Sequence, residues 1–202
     1  MLRVSAPKMS KRLPISIEEE KMDKLITFPQ SGDKLIELRN EAILLVFYAT
    51  GIRLSELTGI RMDDVDLVRG SIRVTGKRNK ERIVPIGVLV VEHIHRYMKL
   101  LSASGISENK NPFLFVTDEG KQLYPKLVYR IVHSWLAEVC TNEKLSPHVL
   151  RHTFATHMLN NGADLNTIKE ILGHSSLAAT QVYTHNSITK LKSVYKQAHP
   201  RA

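Results

Sequence analysis

The chain has little of several things, and each scarcity narrows its class. Cys140 is the only cysteine among 202 residues, so an intrachain disulfide and a thiolate metal cluster are both excluded, a composition that suits a reducing compartment. No run of 18 apolar residues occurs, which leaves no candidate membrane span. Arg3 and Lys8 are followed by polar and basic residues where a secretory signal would be apolar, and a cytoplasmic, membrane-free protein is the expectation. Ten glycines and eight prolines are too few for a collagen-like or low-complexity chain. Acidic residues are also short, 20 against 29 lysines and arginines, for a net charge of +9.

What is present completes the picture. With 43% apolar and 24% charged residues the chain can bury a full core, and its length fits one domain with an arm. The positive surplus points to a polyanionic partner, and to nucleic acid where the basic residues gather around recognition chemistry.

Residues 1–14, with Pro7, Pro14 and four basic side chains but no apolar period, read as a linker or arm, and residues 15–202 as the domain. Ser16 and Glu19 have capping-box spacing for a helix to about Thr27, broken by Pro29–Gly32. Leu35, Leu38, Ala42, Leu45, Val46 and Ala49 predict a buried helix over 34–49, stopped by Gly51. Between Gly70 and Gly87 the period becomes two, giving a hairpin with a basic turn at Lys77–Lys80 and, because of Pro85, an edge return strand. Helices follow at about 88–101 and 125–140, with a short apolar segment at Phe113–Val116 that adds a strand. Ser146 and Pro147 cap and start a helix to about Asn161; Asp164 starts another that Gly173 stops; a last helix begins near Ser187. The expected class is mainly α with a small antiparallel β-sheet (α+β).

Within this frame a few polar residues are placed for chemistry. His148 and Arg151, three apart on one helix, share a face and suit an anion whose proton must also move. A metal reading of His148, His152 and His157 competes, but it lacks a nearby carboxylate cluster, and His152 and His157 are five apart. Arg53 lies just past a helix end, where Glu56 either orients it or pairs with it at the surface. Lys77 sits in the hairpin turn. His174 follows the Gly173 stop, and Tyr183 comes nine residues later. Arg73, Arg78, Lys80 and Arg82 are expected to contact a nucleic-acid backbone rather than bases.

The segments Ala49-Thr50-Gly51-Ile52-Arg53-Leu54-Ser55-Glu56-Leu57, Gly76-Lys77, Ser146-Pro147-His148 through His157, Leu172-Gly173-His174 and Tyr183-Thr184-His185 together resemble the tyrosine recombinase (phage integrase) family, and within it the Xer type, most of all the D-type partner. The resemblance runs from Leu13-Pro14 to the final Ala202 and covers the C-terminal catalytic domain, without the N-terminal helical domain of such enzymes. It implies that Arg53 and Arg151 hold a scissile phosphate, that His174 donates to it, that His148 assists as acid or base, that Lys77 protonates the leaving 5′ oxygen and that Tyr183 is the nucleophile. No cofactor and no metal are implied. The implied partners are a double-stranded DNA recombination site, related recombinase protomers in a tetramer on DNA and a cell-division DNA translocase, with chromosome dimer resolution as the process. A phage or transposon integrase, a type IB topoisomerase-like enzyme and a non-catalytic DNA-binding module are the alternatives. Arg78 and Ala178-Ala179 depart from the family's usual glycine and hydroxyl residues.

The final helix carries Ile188, Leu191, Val194 and Tyr195 as an apolar stripe that must be buried. Folding onto its own domain is one outcome. The resemblance implies another, docking on a neighbouring protomer.

Overall fold

The computed structural model describes residues 16–22, 32–106, 111–140, 145–173 and 185–202, the side chains of the last segment from 188 onward. The expected linker, 1–14, lies outside them. Its elements are α1 (Glu19–Met22), α2 (Lys34–Thr50), α3 (Leu54–Thr58), β1 (Val65–Asp66), β2 (Ser71–Thr75), β3 (Glu81–Pro85), α4 (Val88–Ala103), α5 (Pro125–Val139), α6 (Pro147–Asn160), α7 (Leu165–Leu172) and α8 (His185–Ala198). The class is as expected, mostly helical with one small antiparallel sheet.

α2 is the central helix. The Asp33 carboxylate accepts from the amides of Leu35 and Ile36, which fixes its start, and Gly51 ends it in the left-handed conformation at φ 58°. Every residue from Leu38 to Thr50 except the half-buried Glu41 is buried, so α2 is covered on all sides instead of on one stripe. α4, α5 and α6 supply that cover.

The sheet runs in the order β1-β2-β3, with Val65 opposite Ile72 and Arg73 opposite Ile83. Pro85 therefore lies on an edge strand, where its missing N–H costs no ladder bond. Ile72, Val74, Arg82 and Val84 all point into the core.

Three expectations are corrected. Phe113–Val116 adds no strand to the sheet: it makes only isolated bridges, Arg61 with Phe113 and Val116 with Gln122. Leu114, Phe115 and Val116 are all buried, which a one-faced strand cannot achieve, and the amide of Leu114 donates to Ile60 O instead. The first helix begins at Glu19, later than a cap at Ser16 would start it, because the backbone of Ile17 is tied to α6: its N–H donates to Thr153 Oγ1 and its carbonyl accepts from His157 Nε2; the expected end near Thr27 lies outside the described residues. Ser146 is extended and its backbone carbonyl begins the helix, but its side chain makes no capping bond; Pro147 alone supplies the expected start signal.

α8 folds onto its own domain, the first of the two outcomes above. Leu191, Tyr195 and Ala198 are buried, and Val194 packs against the core. Its C-terminal extension follows: His199 is buried, and Arg201 donates to Met22 O. A Cβ on Gly87 would meet the backbone of Arg201 and Ala202, so the chain end occupies that gap. No helix among the described residues is long and apolar enough to cross a membrane.

Candidate anion site

The site forms where α2, α3, β3, α6 and α7 meet. Arg53 lies between the end of α2 and the start of α3, whose first turn is closed by Glu56: its carboxylate reaches back to the Arg53 amide, Oε2 to N 2.8 Å. Glu56 is buried, so the pair with Arg53 is no surface ornament. Oε1 accepts from Arg53 Nη1 at 2.8 Å and from Arg82 Nη1 at 2.9 Å, and Oε2 also accepts from Arg82 Nη2 at 2.9 Å. Every lone-pair position of the carboxylate is thereby used. Burial by itself raises the Glu56 pKa, but the hydrogen bonds and charges of Arg82 and Arg53 outweigh it and hold the group below the usual carboxylate range.

Arg82 is the main correction to the sequence reading. Only 6% of its side chain is exposed, so it lies in the core and not on a nucleic-acid backbone. Its parity with Val84 on β3 already carries the signal, since Val84 faces inward. Arg73 is exposed but occupied, paired with Asp64 at 2.8 Å.

The end of α7 brings the arginines together. Ile171 O accepts from Arg82 Nε at 2.7 Å, Leu172 O from Arg151 Nη2 at 2.8 Å and Gly173 O from Arg53 Nη2 at 3.2 Å. Three successive carbonyls at the negative end of α7 thus each receive a different guanidinium. Arg151 also donates to Gly51 O, the matching carbonyl at the end of α2. Burial, with the adjacent positive charge of Arg53, pushes the Arg151 pKa down to about 10. It stays charged at neutral pH.

One carboxylate among three guanidiniums leaves a local surplus of two positive charges. Arg53 keeps 38% of its side chain exposed, and Arg151 is half-buried, so both retain a face toward solvent. A phosphate is the dianion or monoanion that such a fork arrangement fits.

The other expected residues divide. Lys77 is exposed in the β2–β3 turn, and that turn starts against the site: a Cβ on Gly76 would lie 3.1 Å from Glu56 Oε1. His148 is exposed in the first turn of α6, three residues before Arg151. His174 and Tyr183 lie outside the described residues. His157 of the histidine-metal reading is buried with both ring nitrogens taken, Nδ1 2.9 Å from Tyr48 Oη and Nε2 donating to Ile17 O at 2.8 Å, so neither is open to a metal. Among the described residues no group of three or more His, Cys, Asp or Glu is placed to hold a metal ion.

The phage integrase family matches residues 16–190. Tyrosine recombinase XerC of Pelotomaculum thermopropionicum is 41% identical over 206 residues, 100% of this chain and 67% of that protein. Tyrosine recombinase XerD of Yersinia pestis is 43% identical over 200 residues, 98% of this chain and 67% of that protein. The two types match equally well, so the expected D-type preference is not separated from the C type. The crystal structure of the XerH site-specific recombinase bound to its difH substrate, a pre-cleavage complex, superposes with a TM-score of 0.70 at 27% identity, over 92% of this chain and 55% of that one. The chain spans about two thirds of the length of the curated relatives it matches.

Proposed function

The chain belongs to the phage integrase family of tyrosine recombinases, and from that premise we propose that the full-length protein is a site-specific DNA recombinase acting through a covalent phosphotyrosyl intermediate. The observation that carries this reading is the convergence of Arg53 and Arg151 on the end of α7, with a local surplus of two positive charges among the described residues.

The chemistry follows from the residue types. The Tyr183 hydroxyl oxygen attacks the scissile phosphorus, the bond from phosphorus to the 5′ oxygen breaks, and a 3′-phosphotyrosyl bond forms. Negative charge grows on the non-bridging oxygens, where Arg53, Arg151 and His174 meet it. Lys77 gives a proton to the departing 5′ oxygen, and His148 assists as acid or base at the tyrosine. Because the phosphotyrosyl bond conserves the energy of the phosphodiester, a 5′ hydroxyl from a second strand reverses the step without ATP. Double-stranded DNA is the substrate, a reading supported by the XerH site-specific recombinase being bound to its difH substrate. Assembly of four related protomers on two duplexes, control by a cell-division DNA translocase, a role in chromosome dimer resolution and a cytoplasmic location complete the proposal.

The test is covalent capture. The full-length protein is incubated with fragmented genomic DNA of its source, denatured, and the DNA linked to protein is sequenced. One recurring site joined through its 3′ phosphate to Tyr183 is expected, and Tyr183→Phe loses the adduct while retaining DNA affinity. Equal loss of adduct and affinity counts against a nucleophilic role for Tyr183.

A further inference from the structure

Arg82 is a cation with no obvious work in phosphate binding, since it is almost wholly buried and both of its terminal nitrogens are spent on Glu56. A buried ion pair is a poor source of stability, because desolvating two charges consumes most of their attraction; what it supplies is fixed geometry. Here the geometry concerns Arg53.

We infer that Arg82 is a positioning residue for the anion site, neutralising and fixing Glu56 so that Arg53 remains a solvent-facing cation free to meet a phosphate. The inference rests on the recombinase reading above.

Three observations carry it. The first is charge. Glu56 against Arg82 sums to zero, and Arg53 with Arg151 then presents two charges to a ligand. Without Arg82 the buried Glu56 carboxylate falls to Arg53, and one of those charges is cancelled. The second is hydrogen bonding. Arg82 meets Glu56 through both oxygens, which leaves the Arg53 guanidinium one bond to that carboxylate, Nη1 to Oε1, beside its bond to Gly173 O. Remove Arg82, and the Arg53 fork can close on Glu56 bidentately, its preferred arrangement. The third is placement. Arg82 Nε binds Ile171 O, so β3 is locked to the same turn of α7 whose next two carbonyls hold Arg151 and Arg53. Gly173 makes this possible: at φ +65° it has no side chain, and a Cβ there would lie 2.9 Å from Arg82 Nη1. His174 is the next residue in the chain.

The experiment compares single-turnover cleavage by the full-length protein on the captured duplex, with either the natural phosphodiester or a neutral methylphosphonate at the scissile position. Arg82→Met is expected to slow cleavage of the phosphodiester by roughly tenfold or more while DNA affinity changes by less than about threefold. On the methylphosphonate, which is neutral before attack and offers one non-bridging oxygen instead of two to the arginines, the variant is expected to come within about threefold of wild type. Slowing by the same factor on both substrates signals a merely structural defect and overturns the proposal, as does an unchanged rate on the phosphodiester. If Arg82→Met does not fold, Arg82→Lys is read instead, since it keeps the cation but loses the bidentate contact; the same substrate-dependent defect is expected, and its absence overturns the proposal. A wild-type protein that forms no adduct removes the recombinase reading, and this inference with it. Wild-type adduct with an indifferent Arg82 removes this inference alone.

Discussion

Gly51 lies directly against the ring of Phe154: a Cβ added to it would sit 2.6 Å from Phe154 Cδ1 and 2.7 Å from Leu172 Cδ2. The glycine therefore does two things. It turns the chain at φ 58° out of α2, and it lets α2, α6 and α7 approach until the Gly51 carbonyl meets Arg151.

Gly51→Ala is expected to destabilise the domain by about 2–4 kcal/mol, the sum of a left-handed backbone cost and an overpacked contact. Urea unfolding measures it. A loss below about 1 kcal/mol would mean that the three helices separate without strain.

Arg78 occupies the opposite situation. It stands in the left-handed region at φ 63°, beside Asn79 at φ 55°, in the exposed turn that the Gly76 N–H to Lys80 O bond closes at 2.8 Å. This explains physically why a glycine suits the position. Arg78→Gly is expected to raise stability by about 0.5–1 kcal/mol, because relief of the backbone strain exceeds the entropy that glycine adds to the unfolded chain. Thermal unfolding of the two proteins decides the sign.

His199 makes stability depend on acid. Its ring stacks on Tyr195 with centroids 4.8 Å apart, Nε2 donates to Tyr48 O at 3.3 Å, and Nδ1 accepts from the Arg201 amide at 3.0 Å. Burial holds its pKa down at about 4, below the ordinary 6.5. Between those values the unfolded chain binds a proton that the folded one refuses, so stability falls as pH drops through the window; above it both rings are neutral and nothing is contributed. Moving from pH 7.5 to 5 is expected to cost about 2 kcal/mol through this ring. His199→Phe keeps an aromatic ring and cannot titrate. Urea midpoints at the two pH values should fall less in the variant, and equal falls would dismiss His199 as the cause.

The chain end is structural before it is regulatory. Leu191 and Tyr195 of α8 are buried against the body of the domain. Removing residues 187–202 is expected to cost about 3–6 kcal/mol from those two side chains alone, at roughly 1.5–3 kcal/mol each. Calorimetry on the truncated protein checks this. An unshifted melting temperature would show that α8 adds nothing to the fold and is free to dock elsewhere.

Local rules in the sequence determined most of the elements. Asp33 and Asp164 cap α2 and α7, Gly51 and Gly173 stop them at positive φ, and the two-residue period from Ile72 to Ile86 defines the hairpin. These signals are legible because each acts within a few residues of itself. The spacing of Arg53, Lys77, His148, Arg151, His174 and Tyr183 likewise carried the family resemblance without any geometry.

Only the tertiary structure decided which charges are free. In the sequence, Arg53, Arg73, Arg82 and Arg151 are equivalent cations, and Glu56 is one carboxylate near the first of them. Folding brings Glu56 and Arg82, 26 positions apart, into a buried pair, gives Arg73 to Asp64, and sets Arg53 and Arg151 on the carbonyls of α7, 120 and 21 positions away. Charge alone has no direction along a chain. Its partner is chosen by burial and by the handful of carbonyls that a helix end leaves unsatisfied, and those are fixed only when the helices pack.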